Sequence, residues 1–221
     1  MELENCTFDD DALLDLQTDT WVKIDSGIAT VGVTSTLSWL CGRLQSVVFK
    51  EEGIIYNRGK TIAAIEGPKH FATVKTPVSG KLIETNPKLR ESPWILNKDP
   101  YNEGWVAKIR PINLATEAGY LKRPSEIKEL LRDRLSSLKV KCYKEFPDVE
   151  LFEIGVECSA VLVRLNDLIT QLDDGSVIHI VSDDPTASIE MIRWTDQTGQ
   201  SLVQSFKEDS IYHFIVKKVK Q

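Results

Sequence analysis

Residues 61–85 read TIAAIEGPKHFATVKTPVSGKLIET, and this stretch decides the fold of the first half of the chain. Apolar, β-branched runs flank a Gly-Pro turn and a second turn follows closely, which predicts short strands joined by tight turns. The same alternation extends from Thr20 to about Pro111, with one short helix predicted in STLSWLCGRL at residues 35–44. Many short strands separated by turn signals predict a mostly-β sandwich or barrel.

The last third of the chain has a different periodicity. After Pro124 apolar residues recur at helical spacing, and from residue 149 onward the pattern reads strand, helix, strand, helix and a strand pair. Gly175 is placed to cap the end of the first of these two helices, and Asp184 followed by Pro185 predicts the start of the second. This order predicts a two-layer α+β sandwich (βαβαββ), with both helices on one face of a four-stranded sheet.

Composition restricts the possible functions. The 221 residues carry a formal net charge of −6, which argues against nucleic acid as the main partner. No apolar run approaches the length that crosses a bilayer, and the acidic N-terminus does not resemble a secretory signal. We therefore expect a cytoplasmic protein that does not bind membranes. The three histidines are not spaced as metal-ligand pairs, so we also expect no metal site.

The four cysteines contain no CxxC pair, and a reducing compartment with free thiols fits them best. Cys41 lies in an apolar segment and is expected to be structural. Cys142 lies in a connector, where a role as a resolving thiol is the weaker alternative. The remaining two are Cys6 and Cys158.

Lys69 follows Gly67 and Pro68 in the first turn of the opening stretch. A hairpin between rigid strands displays a side chain away from the body of a domain, and proline restricts the freedom of the turn. The amine is then accessible to a modifying enzyme. The residues alone leave two interpretations open: an ordinary solvated lysine, which is the commoner case, and an attachment site.

The motifs around this turn resemble those of the H protein of the glycine cleavage system, over about residues 18–140. They are Glu66 three residues before Lys69, PVSG, N-x-D-P-Y at residues 97–101, and Gly104 with Trp105. The resemblance implies a lipoyl-type barrel-sandwich hybrid with a flanking C-terminal helix, in which Lys69 carries covalent lipoate. A lipoate-attaching enzyme is then the first partner, and the turn that it recognises consists of Glu66, Gly67, Pro68 and His70.

Biotin is attached to a related fold, but biotinyl lysines usually sit between methionines, whereas Pro68 and His70 flank Lys69. Lipoate is therefore the favoured cofactor. The chain differs from the family pattern at Gly67 and Pro68, where a Ser-Val pair is common.

Cys158 is predicted to lie at the start of a helix, after a strand that ends at Gly155. Unpaired amides and the helix dipole at such a position stabilise a thiolate and lower the pKa of the thiol. A buried cysteine that acts as a small apolar residue is the commoner alternative.

The context of Cys158 resembles the TusA/SirA sulfur-carrier family, over about residues 149–221. The matching features are the Gly155-x-x-Cys158 spacing, the DDP that ends at Pro185, and Trp194 with Gly199. The resemblance implies that Cys158 carries a persulfide. The chain departs from the family's Cys-Pro-x-Pro motif, because Ser, Ala and Val follow the cysteine.

The two resemblances divide the chain into an acidic N-terminal segment (1–17), an H-protein-like lipoyl domain (18–140), a connector (141–148) and a TusA-like domain (149–221). They imply a carrier that shuttles sulfur-bound intermediates in a cytoplasmic sulfur-transfer or sulfur-oxidation pathway, with sulfurtransferases or heterodisulfide-reductase-like enzymes as partners. One alternative is an H protein of glycine cleavage that serves the glycine cleavage enzymes and has an appended docking domain. The other is an unmodified protein-binding adaptor. No nucleophile–base set or phosphate loop is apparent, so we expect no catalytic residue.

Overall fold

The structure is a computed structural model that describes residues 1–220. The chain divides into two compact units, Met1–Cys142 and a second that starts at Tyr143. No helix within the described residues combines the length and apolar character that a bilayer crossing requires.

The first unit is rich in short strands. The strands described in it are β1 (Glu2–Leu3), β2 (Cys6–Thr7), β3 (Leu13–Asp15), β4 (Thr20–Asp25), β5 (Ile28–Val33), β6 (Ser46–Phe49), β7 (Ile55–Tyr56), β8 (Thr61–Glu66), β9 (Phe71–Lys75), β10 (Gly80–Thr85) and β11 (Trp105–Pro111). The helices are α1 (Ser35–Cys41), α2 (Lys88–Glu91), α3 (Ile95–Lys98), α4 (Leu114–Glu117) and α5 (Lys128–Ser137), with 3₁₀ turns at Ala118–Tyr120 and Pro124–Ile127. The short helix predicted from the sequence is α1, and the one predicted after Pro124 is α5.

Two sheets enclose the main core of the first unit. One has the order β3-β4-β5-β11-β10-β7, and the other has the order β6-β8-β9. All their pairings are antiparallel, as tight turns between consecutive strands require. Strand β9 alternates buried and exposed residues, so that Ala72 and Val74 enter the core with Ile62 and Ile65 of β8. The predicted mostly-β architecture is confirmed.

A second apolar cluster of the first unit joins its two ends. Phe8 and Leu14 from the N-terminal segment pack with Leu131 and Leu135 of α5, and all four side chains are buried. The acidic N-terminal segment is therefore part of the folded unit.

This cluster also brings Cys6 and Cys142 together, at a Cα–Cα distance of 5.0 Å although 136 residues separate them in sequence. They form a disulfide, so the expectation of free thiols is wrong for both, and Cys142 is not an available resolving thiol. The sequence gives no sign of the bond because it depends on the packing of the N-terminal hairpin against α5. Cys41 and Cys158 are unbridged and buried.

The second unit has the α+β order predicted from the sequence: β12 (Val149–Glu153), α6 (Cys158–Gln171), β13 (Val177–Ser182), α7 (Ala187–Thr198), β14 (Ser201–Glu208) and β15 (Ile211–Lys217). The sheet order is β12-β13-β15-β14, with β12 and β13 parallel and the other pairs antiparallel. Both helices bury apolar residues against Ile178, Ile180, Phe214 and Val216 of the central strands. The predicted two-layer sandwich is confirmed.

Two helix boundaries differ from prediction. Helix α6 ends at Gln171, so Gly175 is not its cap; Gly175 lies in the next turn, where its N–H donates to the Lys218 carbonyl at 2.9 Å. Helix α7 begins at Ala187 rather than after Pro185, and Asp184 accepts hydrogen bonds from the N–H and hydroxyl of Thr186. The helix ends because Leu172, which packs against the core of this unit, already has an extended backbone conformation (φ −92°, ψ 155°).

Aromatic and imidazole rings occupy the sheet face opposite the helices. Tyr143 packs on His179, with ring centroids 4.5 Å apart, and on Phe206. His179 Nε2 lies 3.0 Å from His213 Nδ1, and its Nδ1 lies 3.2 Å from a carboxylate oxygen of Glu150. Strand pairing therefore brings together two histidines that are distant in sequence, although no cluster within residues 1–220 has the three or more ligands suited to a metal ion.

Candidate functional site

The Lys69 turn connects β8 to β9. The two strands pair up to Glu66 and Phe71, and the Gly67 N–H closes the turn by donating to the His70 carbonyl at 3.1 Å. The side chains of Pro68, Lys69 and His70 are exposed. The sequence-predicted turn residues therefore come together at one tip of the three-stranded sheet.

Main-chain hydrogen bonds attach this turn to the segment that follows α1. The Lys69 N–H donates to the Cys41 carbonyl at 3.2 Å, and the Gln45 N–H donates to the Glu66 carbonyl at 2.8 Å. The backbone of the turn is held on both sides of Pro68, while the lysine side chain is exposed. The lysine is thus presented from a fixed base and not from a loose loop.

Gly67 has a steric role in this attachment. A Cβ atom at this position would lie 2.2 Å from the Cys41 carbonyl oxygen, which is far inside van der Waals contact. The glycine therefore allows the turn to approach the end of α1 closely.

The residue that follows α1 and faces this turn is also a glycine. Gly42 caps α1 with φ 74° and ψ −165°, a conformation essentially restricted to glycine. A Cβ atom there would lie 3.2 Å from Cγ of Lys69 and 3.3 Å from Cγ of Pro68. The turn and the end of α1 thus meet through two glycines, of which the sequence analysis identified only Gly67.

Cys158 is the first residue of α6 and is only 3% exposed. Its N–H donates to a carboxylate oxygen of Asp184 at 2.7 Å, and the Gly155 N–H donates to Asp183 at 2.8 Å. The two aspartates of the DDP motif therefore fasten the Gly155–Cys158 loop to the loop that precedes α7. The sequence predicts the position of Cys158 at a helix N-terminus but gives no sign of these partners.

The environment of the Cys158 thiol raises its pKa, whereas the helix N-terminus was expected to lower it. Burial raises the pKa of Cys158, and the carboxylates of Asp184 and Glu190 raise it further. The hydrogen bonds from Thr186 and from the Cys158 N–H lower the pKa of Asp184, which keeps this neighbouring carboxylate ionised. The expectation of a lowered thiol pKa from the helix terminus alone is therefore wrong, because burial and two anions outweigh the helix dipole.

Cys41 is buried under the Lys69 turn, and burial raises its pKa to about 12. A thiol with such a high pKa stays protonated at neutral pH, so Cys41 acts as a small apolar residue. The structural role expected for it agrees with this environment.

The family model described as Glycine cleavage H-protein matches residues 13–134, which is more than half of the chain. The chain belongs to the glycine cleavage H-protein family. A second model, described as Sulfurtransferase TusA, matches residues 153–218. The chain therefore combines a glycine cleavage H-like lipoyl carrier domain with a TusA sulfur carrier domain.

Individual relatives agree with the family match. Glycine cleavage system H protein 5 of Aquifex aeolicus is 32% identical over 145 residues, which cover 64% of this chain and 98% of that protein. The mitochondrial H protein of Mesembryanthemum crystallinum is 42% identical over 97 residues, which cover 43% of this chain and 58% of that protein. A crystal structure of an H protein from Mycobacterium marinum superimposes with a TM-score of 0.51 at 25% identity, covering 57% of this chain and 99% of that one.

Proposed function

We propose that this chain is a carrier with two covalent sites, a lipoyl group on Lys69 and a persulfide sulfur on Cys158. In this function it has no catalytic residues and is a substrate of partner enzymes. Its pathway is a cytoplasmic sulfur-transfer or sulfur-oxidation route. The partners are a lipoate-attaching enzyme and sulfurtransferases or heterodisulfide-reductase-like enzymes.

The observation that carries the first site is the presentation of Lys69. Its side chain is exposed at the tip of a turn whose backbone is bonded to the Cys41 carbonyl at 3.2 Å. Such a turn fits a covalently attached arm, because the amine is open to a modifying enzyme while the base of the arm stays fixed. Glu66, Gly67, Pro68 and His70 form the surface that the attaching enzyme meets.

Lipoate, when bound, supplies a dithiolane that alternates between disulfide and dithiol and carries a group on sulfur. The contribution of the protein is to hold the attachment point and to keep the reactive sulfur at high effective concentration for successive partners.

The second site depends on Cys158 becoming ionised. The Cys158 thiolate attacks the terminal sulfur of a donor persulfide, the sulfur–sulfur bond of the donor breaks, and the donor leaves as a thiolate. The sulfur keeps its oxidation level, so the step requires no oxidant. Because the resting thiol is buried and its pKa is raised, the reaction requires a donor enzyme that opens or neutralises the Asp184 side of the site.

Glycine cleavage is the second candidate function, and the names of the relatives favour it. In this case Lys69 is still lipoylated, the glycine cleavage enzymes are the partners, and the TusA domain serves for docking. The TusA domain at residues 153–218 is the observation that favours the sulfur pathway instead.

Intact mass spectrometry of the natively expressed protein tests these functions. We expect the wild-type chain to carry the added mass of one lipoyl amide, and this addition to be absent in Lys69→Arg. The matched control is Lys75→Arg, an exposed lysine on the adjacent strand β9, which should remain fully modified.

Incubation with a persulfide-bearing sulfurtransferase tests the second site. We expect the added mass of sulfur on the wild-type chain and none on Cys158→Ser. If Cys158→Ser accepts as much sulfur as the wild-type chain, Cys158 is not the carrier. If the chain is lipoylated and supports glycine cleavage but never accepts sulfur, the second candidate function is favoured. A chain that remains unmodified under lipoate-replete conditions is an adaptor.

A further inference from the structure

A buried asparagine is bonded to the segment that holds the Lys69 turn. Asn97, from the N-x-D-P-Y motif, is 5% exposed and belongs to α3. Its carbonyl accepts the Leu44 N–H at 2.8 Å, and its amide donates to the carbonyls of Ser38 at 3.0 Å and Gly42 at 2.9 Å. One side chain therefore connects Ser38 in the last turn of α1 to Gly42 and Leu44, which follow the helix.

The segment that Asn97 holds is the one that carries the attachment turn. Cys41 and Gln45 form the main-chain hydrogen bonds to Lys69 and Glu66, and they flank two of the three residues that Asn97 contacts. The glycine-only conformation of Gly42 lies between them. Because a buried amide with three hydrogen bonds has few alternative positions, it fixes this segment more strongly than packing alone.

We propose that Asn97 is a positioning residue for modification of Lys69: it orders residues 41–45 and thereby fixes the backbone on which the lysine is presented to the attaching enzyme. This inference rests on the proposed lipoylation of Lys69 and extends it. The step concerned is attack of the neutral Lys69 amine on the carbonyl of a lipoyl adenylate. The amide bond forms, the bond to AMP breaks, and the amine loses a proton to solvent.

The first unit offers a matched control for Asn97. Asn86 is 1% exposed, and it too makes three hydrogen bonds: its amide donates to the carbonyls of Glu103 and Trp105, and its carbonyl accepts the Lys88 N–H. None of these partners belongs to residues 41–45. Asn97→Ala and Asn86→Ala therefore remove the same kind of buried amide. Only Asn97→Ala removes hydrogen bonds to residues 41–45, which hold the backbone of the turn.

Lipoylation of purified full-length protein by a lipoate–protein ligase with ATP and lipoate provides the test. We expect Asn97→Ala to lower kcat/KM for the protein substrate about tenfold, since a small displacement of a reacting group from its productive geometry is costly. Asn86→Ala should stay within about twofold of wild type, as expected for a change outside the reacting geometry. Acylation of the protein by a small activated ester serves as the second readout, and Lys69 should react equally in all three proteins because its side chain stays exposed.

Hydrogen exchange of the Lys69 amide distinguishes this inference from the proposed function. We expect exchange to accelerate in Asn97→Ala and not in Asn86→Ala, because the bond to Cys41 weakens only in the former. Equal loss of kcat/KM in the two variants, or unchanged exchange in Asn97→Ala, overturns the positioning role. If wild-type protein is never lipoylated, the proposed function fails and the role of Asn97 in modification fails with it, whereas the exchange measurement still decides whether Asn97 orders residues 41–45. Gly42→Ala perturbs the same segment independently and should reproduce the effect if Asn97→Ala does not fold.

Discussion

The Lys69 turn and the Cys158 turn present their reactive groups in opposite ways. Both follow a strand, and both are fastened by hydrogen bonds to a neighbouring loop. At the first, the backbone is fixed and the side chain is exposed. At the second, the thiol itself is buried, and the carboxylates of Asp184 and Glu190 raise its pKa further. Under the proposed function, Lys69 receives its cofactor once and then extends it outward, whereas Cys158 exchanges sulfur repeatedly and is covered between partners.

This difference has a consequence for partner enzymes. Under the proposed function, an enzyme that modifies Lys69 needs only to recognise a pre-formed surface, because the lysine side chain is already exposed. An enzyme that loads Cys158 would also have to change the site, since a buried, protonated thiol is a poor nucleophile.

The largest effect is expected from the disulfide of the first unit. Replacing both Cys6 and Cys142 by serine should lower the free energy of unfolding of this unit by about 2–5 kcal/mol, because the unfolded chain regains the freedom of a long loop. Urea denaturation followed by tryptophan fluorescence measures the change. Alkylation of Cys158 in the second unit is the control and should proceed at the wild-type rate; a faster rate contradicts the independence of the two sites.

Gly67→Ala is expected to have the next largest effect. The added Cβ atom would lie 2.2 Å from the Cys41 carbonyl oxygen, so the turn must move away from α1. We expect a loss of about 1–3 kcal/mol in stability, as for other overpacked sites, together with slower lipoylation. Gly119→Ala is the matched control, because a Cβ atom at Gly119 meets nothing within 4 Å. Indistinguishable behaviour of the two variants would show that the close contact is not required.

Asp184→Asn should make Cys158 more acidic. A raised pKa means that the folded protein holds the thiol proton more tightly, so less thiolate exists at any pH below that pKa, and removing the charge reverses part of this shift. We expect the rate of iodoacetamide alkylation at pH 8 to rise about two- to tenfold, with the midpoint of its pH profile moving down. Asp167→Asn, on the exposed side of α6, is the control. An unchanged midpoint in Asp184→Asn would falsify this electrostatic role.

Glu190→Gln should shift the same pH profile in the same direction by a smaller amount. Glu190 follows Asp184 in its influence on the thiol, and its carboxylate is paired with Arg193 at 3.1 Å, which offsets part of its field. We expect less than about a twofold change in alkylation rate, as a weak surface charge predicts. If Glu190→Gln moved the midpoint of the pH profile as far as Asp184→Asn does, the hydrogen bond between Asp184 and the Cys158 N–H would not explain the larger effect expected of Asp184.

Much of the fold follows from local patterns. The strands around the Lys69 turn and helices α6 and α7 are recognisable from alternation, helical periodicity and turn residues, because these depend on residues close in sequence. The two helix boundaries that differ, at Gln171 and Ala187, lie where local signals compete with packing. Asn97 was visible in the sequence as part of a motif, but its role was not, since its partners lie more than 50 residues away.

By itself, the sequence determined the two domain types, the position of Lys69 in a turn and the position of Cys158 at a helix start. Only the tertiary structure decided that Cys6 and Cys142 are bonded, that Asn97 bonds to Gly42 at the end of α1, and that Asp184 contacts the cysteine N–H. The physical reason is the range of the forces involved. Backbone preferences act between neighbouring residues, whereas the burial of a thiol and the charges around it depend on segments that only folding brings together.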